Sequence, residues 1–267
     1  MVPLPSTKLH QRETWAAGDL ARSAQGIVLP GELLCEAVVL HAGERVLDVG
    51  TATGNAALAA ARRRAQVVGI DLLPELLERG RSRAAAEGLT IDFREGNAEA
   101  LAFEPDSFDV ALSTFGVMFA PDQALAAREL CRVVRQSGRI GLASWTPKGF
   151  TGRQFALLDR YSPETGDAPP PTRWGTEDGL HELFPGAVAS VATRRRTANL
   201  RGDSPVAMVG FMRRFFGPAV RAFASLEADR QAKLSEELVR LVSSSNRSGD
   251  GTVLIPSEYL EAVVTVR

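Results

Sequence analysis

Residues 44–56 read ERVLDVGTATGNA, and this stretch decides the fold. An apolar run that includes Asp48 breaks into a turn between Gly50 and Gly54, and an alanine-rich segment with helical spacing follows. The pattern predicts a strand, a tight turn and the first turn of a helix. Glycine accepts positive φ and has no Cβ, so the turn lets a ligand approach the backbone closely.

A second acidic residue follows the next apolar run. Asp71 comes directly after Val67-Val68-Gly69-Ile70. Acidic residues at the carboxyl ends of successive strands, with a glycine turn after the first strand, are typical of a nucleoside-cofactor site. The sequence therefore predicts such a site at this edge of a sheet.

Short apolar strands alternate with helices, which predicts a parallel sheet with helices on both faces. The expected strands are 45–49, 66–71, 90–93, 108–113 and 138–144, with a weak helix near 97–102. Two later strands are expected at 187–200 and 252–266, with helices 204–216 and 218–243 between them. The expected fold class is α/β, a doubly wound, mostly parallel, seven-stranded Rossmann-like sheet with a helical cap inserted before the last strand.

Three segments of the chain have distinct expected roles. Residues 1–43 form an N-terminal helical arm and lid, and residues 44–146 form the cofactor-binding core. Residues 147–267 complete the sheet and carry the inserted helical substrate cap. We expect the three segments to form one compact domain.

Composition limits the possible partners. The 267 residues contain 31 Lys and Arg against 32 Asp and Glu, a net charge of -1, which argues against nucleic acid or a membrane as partner. No run approaches the length of a membrane span, and the N-terminus has no hydrophobic leader, so we expect a cytoplasmic protein. The cysteines Cys35 and Cys131 are far apart, and no metal site is expected. The oligomeric state stays open.

The glycine spacing distinguishes between two cofactors. A dinucleotide-binding turn has the pattern G-x-G-x-x-G, but counted from Gly50 the second and third glycine positions hold Ala52 and Asn55. Asp48 beside the turn would repel a pyrophosphate, whereas it suits a ligand that carries an ammonium and a sulfonium group. Spacing and charge therefore favour S-adenosylmethionine over NAD.

Residues 44–146 resemble the core of class I S-adenosylmethionine-dependent methyltransferases, of the ubiquinone/menaquinone-methyltransferase-like small-molecule group. Five segments match the family pattern in order: DVGTATG, VVGIDLLPELLERGRSRA, REGNAEALAF, SFDVALSTFGVMF and ELCRVVRQSGRIGLASW. Two departures lie in the expected site, since Ala52 replaces the middle glycine and Asn97 replaces the usual aspartate. Neither departure removes a group that the chemistry requires.

The resemblance implies a set of cofactor-binding residues. Asp48 would face the ammonium end, Asp71 would accept hydrogen bonds from the ribose hydroxyls, and Asn97 would accept from the adenine amino group. The full set is Asp48, Gly50, Thr51, Ala52, Gly54, Asn55, Asp71, Leu72, Asn97, Ala98, Glu99, Ser113 and Phe115, with Trp15 as part of a lid.

The expected reaction is methyl transfer by direct displacement to a small, apolar or aromatic metabolite, with S-adenosylhomocysteine as product. No catalytic residue is evident, and His10 in the N-terminal arm is a candidate general base. Aromatic residues of the core and of the segment that follows it would bind the acceptor, because small-molecule pockets have mostly apolar walls. These candidates are Phe119, Trp145, Phe150, Tyr161, Trp174, Phe211 and Phe215.

Two alternative functions remain. The chain could be a catalytically silent homologue that binds a nucleoside ligand, since intact Asp48, Gly54 and Asp71 do not prove turnover. An NAD-dependent oxidoreductase shares the strand, turn and ribose-binding acid, although the glycine spacing disfavours it. Calorimetry with both cofactors would distinguish the donors.

Overall fold

A computed structural model describes residues 6–161, 169–186 and 188–267, and one seven-stranded sheet organises them. The strand order is β3-β2-β1-β4-β5-β7-β6. The strands are β1 (Arg45–Val49), β2 (Gln66–Asp71), β3 (Ile91–Glu95), β4 (Phe108–Thr114), β5 (Val134–Trp145), β6 (Val188–Gly202) and β7 (Val253–Val266). Strands β1 to β5 pair in parallel, and β7 pairs antiparallel with β5 and β6. The predicted fold class is confirmed.

Helices surround this sheet and form the cap. They are α1 (Ser6–Ala16), α2 (Leu20–Ser23), α3 (Leu29–Ala37), α4 (Asn55–Arg62), α5 (Pro74–Ala86), α6 (Gln123–Val133), α7 (Phe150–Tyr161), α8 (Glu177–Leu183), α9 (Pro205–Phe215), α10 (Gly217–Ala224) and α11 (Ala228–Ser245). Helices α9 to α11 lie between β6 and β7 in the chain, as predicted. They pack with α7 around a hydrophobic cluster of their own, so the cap has its own core.

Two predicted helices were wrong. The expected helix 218–243 is divided into α10 and α11, because the chain turns at Leu226 and buries that side chain in the cap core. The expected weak helix 97–102 does not form, because the Asn97 side chain accepts a hydrogen bond from the backbone N–H of Glu99 and stabilises a turn instead.

The order of the strands places a crevice at the carboxyl end of β1. From β1 the chain moves outward through β2 to β3 and then crosses back to β4 on the other side of β1. Ligands of doubly wound sheets bind at this switch point, outside the carboxyl ends of the strands. The buried alanines of α4, Ala56 to Ala60, let this helix pack closely on the sheet directly behind the glycine turn.

Candidate functional site

Asp48 lies beneath the glycine turn and is almost completely buried. Its Oδ2 accepts hydrogen bonds from Thr51 Oγ1 at 2.6 Å and from the Ala57 backbone N–H at 2.9 Å. Its Oδ1 has no hydrogen-bond partner among the described residues. Burial raises the pKa of the carboxyl from its ordinary value of 3.8 to about 6. A buried carboxylate with one unpaired oxygen favours a cation nearby.

Asp48→Asn is expected to become more stable relative to the wild type as the pH rises from 4 to 7. Because the pKa of Asp48 is raised in the folded state, the folded protein binds the carboxyl proton more tightly than the unfolded chain does. Protonation of Asp48 therefore stabilises the wild type fully below pH 3.8, and this stabilisation is lost as the pH rises through 6. The difference between the two pKa values corresponds to about 3 kcal/mol. Urea unfolding of both proteins across this range measures the effect, and a constant difference between them would contradict it.

The turn after β1 contacts the loop after β4 through two glycines. A Cβ on Gly116 would lie 2.7 Å from the carbonyl oxygen of Gly50 and 2.8 Å from that of Val49. Ser113 Oγ donates to the Val49 carbonyl at 2.6 Å and accepts from the Val117 N–H at 2.9 Å. Ser113 therefore joins the two strand ends from below. Gly116 was not among the predicted site residues, although its place just after a strand is a recognisable signal.

Ala52 has a backbone conformation that normally favours glycine. Its φ is +48°, and it lies at the position where the family pattern has its middle glycine. Its backbone N–H donates to Asp71 Oδ2 at 2.9 Å, which holds the turn in place despite the strain. Ala52 is one of the residues that line a cleft beside Asp71.

Ala52→Gly is expected to raise the free energy of unfolding by about 1 kcal/mol. The left-handed conformation costs an L-residue about 1–2 kcal/mol, and the greater freedom of glycine in the unfolded chain offsets part of this gain. The substitution also removes a methyl group from the cleft, so binding of the expected cofactor should not weaken. Chemical denaturation and calorimetry check both points; a loss of stability would show that the strain is absent.

Asp71 connects the turn to the second strand and is partly exposed in the cleft. Besides accepting from Ala52, its carboxylate accepts from the backbone N–H of Leu73 at 3.1 Å. Burial raises the pKa of this carboxyl, and the backbone hydrogen bonds oppose that rise. Each carboxylate oxygen can accept a further hydrogen bond, so Asp71 can still accept from a ligand.

An aromatic floor lies on the β4 side of the site. Phe115 has a φ of +57°, and its ring stacks on Trp145 with a centroid distance of 3.9 Å and an angle of 6°. The edge of Tyr259 packs against the same ring at 5.5 Å. Strained residues held by their surroundings cluster at functional sites, and the Phe115 backbone is held by a hydrogen bond from its N–H to Ala143.

These elements enclose a cleft of about 1010 Å³, its open mouth included. Predicted site residues that line it are Trp15, Gly50, Thr51, Ala52, Asn55, Asp71, Leu72, Ala98, Phe115 and Phe119. Residues that sequence analysis did not select also line it: Lys8, Gln11, Arg12, Leu20, Ala24, Ile27, Thr53, Ile70, Leu73, Gly96, Thr114, Gly116, Val117 and Ala120. Several of these residues are next to a recognised motif in the sequence. The lining residues of the N-terminal segment, from Lys8 to Ile27, lie in no motif that could have identified them.

The remaining predicted cofactor residues are not in the cleft lining. Asp48 and Ser113 lie beneath it, and Gly54 starts α4 with a φ of +86°. Asn97 and Glu99 belong to the loop after β3, which contributes Ala98 to the cleft. Asp48 therefore organises the turn through its hydrogen bonds rather than forming the cleft surface.

The N-terminal segment covers the cleft. Lys8 is buried and forms an ion pair with Glu99 at 3.0 Å, and burial lowers the pKa of its ammonium group. Gln11 Nε2 donates to the Phe119 carbonyl at 2.7 Å. Polar contacts from α1 thus fasten the segment to the loops after β3 and β4, and residues 6–27 form one wall of the cleft.

Gly18→Ala is expected to detach this segment and lower affinity for the expected cofactor about tenfold. A Cβ on Gly18 would lie 2.3 Å from the Phe215 carbonyl oxygen and 2.6 Å from the Gly217 nitrogen, and neither backbone atom can yield easily. Hydrogen exchange across 6–27 and calorimetry measure the effect. Gly26→Ala is the matched control, because no atom lies within 4 Å of the added Cβ. Equal behaviour of the two variants would contradict the prediction.

Four aromatic rings meet beside the cleft. Trp15 packs edge-on against Phe119 at 4.6 Å and against Phe216 at 6.0 Å, and Phe155 contacts both Phe119 at 5.4 Å and Phe216 at 6.0 Å. Each ring remains partly exposed. Parts of the chain that are distant in sequence therefore meet in one aromatic wall, of which Trp15 and Phe119 line the cleft.

The structure places six predicted acceptor residues outside the cleft lining. Trp145, Phe150 and Trp174 are buried in hydrophobic clusters. Tyr161 donates to Glu237 at 2.8 Å. The two α9 residues also lie elsewhere: Phe211 is 41% exposed and Phe215 packs beneath Arg22 and Arg214. Trp145 was selected at the end of the core and the other five as aromatic residues of the cap segment, but the side on which each ring lies depends on tertiary packing.

The base candidate also lies outside the cleft lining. His10 is on α1, with its Nδ1 3.3 Å from Arg221 Nη2. A general base at His10 stays a prediction.

The described parts of the chain contain neither a helix that could span a membrane nor a cluster of metal ligands. None of the helices there combines the length and the apolar character needed to cross a membrane. The same residues contain no group of three or more His, Cys, Asp or Glu side chains that could hold a metal ion.

Comparisons with known proteins agree with the arrangement at the switch point. A family model described as a methyltransferase domain matches residues 46–138. An uncharacterized protein of Mycobacterium tuberculosis is 41% identical over 237 residues, which cover 87% of this chain and 86% of that protein. Nocamycin O-methyltransferase of Saccharothrix syringae is 31% identical, with 82% and 84% covered. The crystal structure of the YcgJ protein from Bacillus subtilis superposes with a TM-score of 0.61 at 20% identity, covering 89% of this chain and 98% of that one.

Proposed function

Because the chain belongs to the class I S-adenosylmethionine-dependent methyltransferases, we propose that it transfers a methyl group from S-adenosylmethionine to a small, apolar or aromatic metabolite. The observation that carries the proposal is the position of Asp71. Its carboxylate is partly exposed in a cleft that also contains the glycine turn after β1. That position suits a carboxylate that accepts hydrogen bonds from ribose hydroxyls.

The residues present fit this cofactor. The buried Asp48, whose Oδ1 is unpaired among the described residues, places negative charge under the turn, as a cationic ligand requires. The small residues Ala98 and Gly96 line the cleft together with Asp71, and a flat base would lie against them. The lid supplies Trp15 as an apolar cover.

S-adenosylmethionine, when bound, supplies a methyl group that is already activated by the positive charge on sulfur. The chain then has to orient two partners and exclude water, and such positioning can supply several kcal/mol, on the order of 7–11 in favourable cases. Phe115 is held rigidly on Trp145 and forms the floor, and the lid closes over the cleft from the other side. No step assigned here requires a side chain to take up a proton.

The acceptor would bind against the aromatic wall of Trp15, Phe119, Phe155 and Phe216. Partly exposed rings in edge-to-face contact with one another still present surface to a further ring, and such contacts contribute about 0.5–1.5 kcal/mol each. Trp15 and Phe119 line the cleft, whereas Phe155 and Phe216 belong to the cap segment. A ligand at this wall would therefore touch both the cleft and the cap segment. This arrangement supports an apolar or aromatic acceptor.

The proposal is tested in two stages. Calorimetry should show binding of S-adenosylmethionine and S-adenosylhomocysteine and no binding of NAD. Incubation with methyl-labelled S-adenosylmethionine and a metabolite extract should then give a labelled product by mass spectrometry. NAD binding without S-adenosylmethionine binding would favour an oxidoreductase. Tight donor binding with no labelled product from a broad acceptor panel would favour a catalytically silent homologue.

A further inference from the structure

Helix α9 has an apolar face in solvent. Val206 is 69% exposed and Phe211 is 41% exposed, and the other exposed residues of the first two turns are Ala207 and Gly210. The opposite face is also apolar, because Met208, Val209 and Met212 pack into the cap core. A surface helix normally turns polar residues toward water, so an apolar solvent face marks an interaction surface.

The surroundings of this face are basic. Residues 205–226 contain no acidic residue and three arginines, of which Arg221 is paired with Glu13 of α1 at 3.3 Å. Arg213 and Arg214 are exposed in the last turn of α9, and Arg22 of α2 lies 4.9 Å over the Phe215 ring. Asp203 precedes α9, Glu227 directly follows residue 226, and Asp19 beside Phe215 is paired with Arg79 at 2.6 Å. Arg22, Arg213 and Arg214 therefore place positive charge beside the apolar face, although the overall charge of the chain is -1.

We propose that the α9 face docks on a phospholipid bilayer with anionic headgroups. Exposed apolar side chains beside arginines have the chemistry of interfacial membrane binding, in which the apolar residues enter the boundary between headgroups and acyl chains. The arginines then face the phosphates, with which the guanidinium group forms paired hydrogen bonds. Charge complementarity selects a lipid surface rather than a neutral apolar partner.

The docking face adjoins the lid of the cleft. The Asp19 backbone N–H donates to the Phe215 carbonyl at 2.8 Å, and the neighbouring Leu20 lines the cleft. An apolar acceptor dissolved in the bilayer would reach the cleft along this edge without crossing water. Entry of the acceptor from the bilayer rests on the proposed function, whereas docking of the α9 face on the bilayer does not.

Sedimentation of the full chain with vesicles tests the docking. Vesicles of phosphatidylcholine with about 25% phosphatidylglycerol should bind the wild type about tenfold more strongly than pure phosphatidylcholine vesicles. Binding should fall about tenfold in Val206→Ser/Phe211→Ser and in Arg213→Gln/Arg214→Gln, and it should weaken as salt increases. The matched control is Leu29→Ser/Val39→Ser, which removes equally exposed apolar residues from another surface, 61% and 62% exposed, and should bind like the wild type.

Three results would overturn the proposal. The wild type does not bind the anionic vesicles, or both α9 variants bind as it does, or the control variant loses binding equally. A fourth result, concentration-dependent self-association abolished by Val206→Ser/Phe211→Ser without vesicle binding, would assign the face to a second copy of the chain. Since the readout is vesicle binding, failure here leaves donor binding and methyl transfer untouched and separately measurable.

Discussion

Asp71→Ala is expected to lower the affinity for S-adenosylmethionine about 100-fold, a loss of about 3 kcal/mol. The carboxylate would accept from both ribose hydroxyls, and hydrogen bonds to a charged acceptor contribute about 1.5–3 kcal/mol each. It also holds the backbone N–H groups of Ala52 and Leu73, which shape the cleft. Isothermal titration with S-adenosylmethionine and S-adenosylhomocysteine measures the loss.

Asp71→Asn is the matched comparison for this prediction. It keeps the size of the side chain and one accepting oxygen, so its affinity should lie between those of the wild type and the alanine variant. Circular dichroism and the unfolding midpoint verify that all three proteins remain folded. If the folded alanine variant binds S-adenosylmethionine within about threefold of the wild type, the ribose-binding role assigned to Asp71 is wrong.

Gly116→Ala is expected to destabilise the protein by about 3 kcal/mol and to abolish donor binding, because overpacking a site that cannot relax costs about 1–3 kcal/mol or more. The added methyl group would press on the carbonyl oxygens of Gly50 and Val49, at 2.7 and 2.8 Å. Relief of this clash must separate the turn after β1 from the loop after β4, and both line the cleft. Urea unfolding and calorimetry give the two readouts.

Gly210→Ala is the control for this substitution. No atom lies within 4 Å of its added Cβ, and the residue is exposed in helix α9. Alanine has the higher helix propensity, so this variant should gain about 0.5–1 kcal/mol and bind the donor normally. Similar effects of the two substitutions would mean that the close approach at Gly116 does not restrict the site.

The core of the fold was predictable because local signals and global topology agree there. Strands β1 and β2 begin and end where the apolar runs predict. The single expected helix 218–243 was wrong because its apolar spacing continues through Leu226, whereas the chain turns there to bury that residue. Hydrophobic periodicity reports which residues are buried, but it does not report whether the helix between them is continuous.

The site residues at the strand ends were predictable, whereas the positions of the aromatic residues in the cap segment were not. Gly50, Ala52 and Asp71 line the cleft as expected because they lie at strand ends, whose positions the parallel topology determines. Phe211 and Trp174 were selected for their chemistry alone, and they lie on the surface and in the core. Aromatic character does not specify the direction in which a ring points.

The sequence by itself determined the alternation of strands and helices, the glycine turn and the acids at the strand ends. These features are local in the chain, so spacing and residue type suffice to identify them. The tertiary structure alone decided which segment covers the cleft and which rings form the aromatic wall. Each of these forms from segments far apart in the chain, such as Gly18 against Phe215, or Trp15 against Phe119 and Phe216. Contacts of that kind depend on how the elements pack, which no local pattern of residues records.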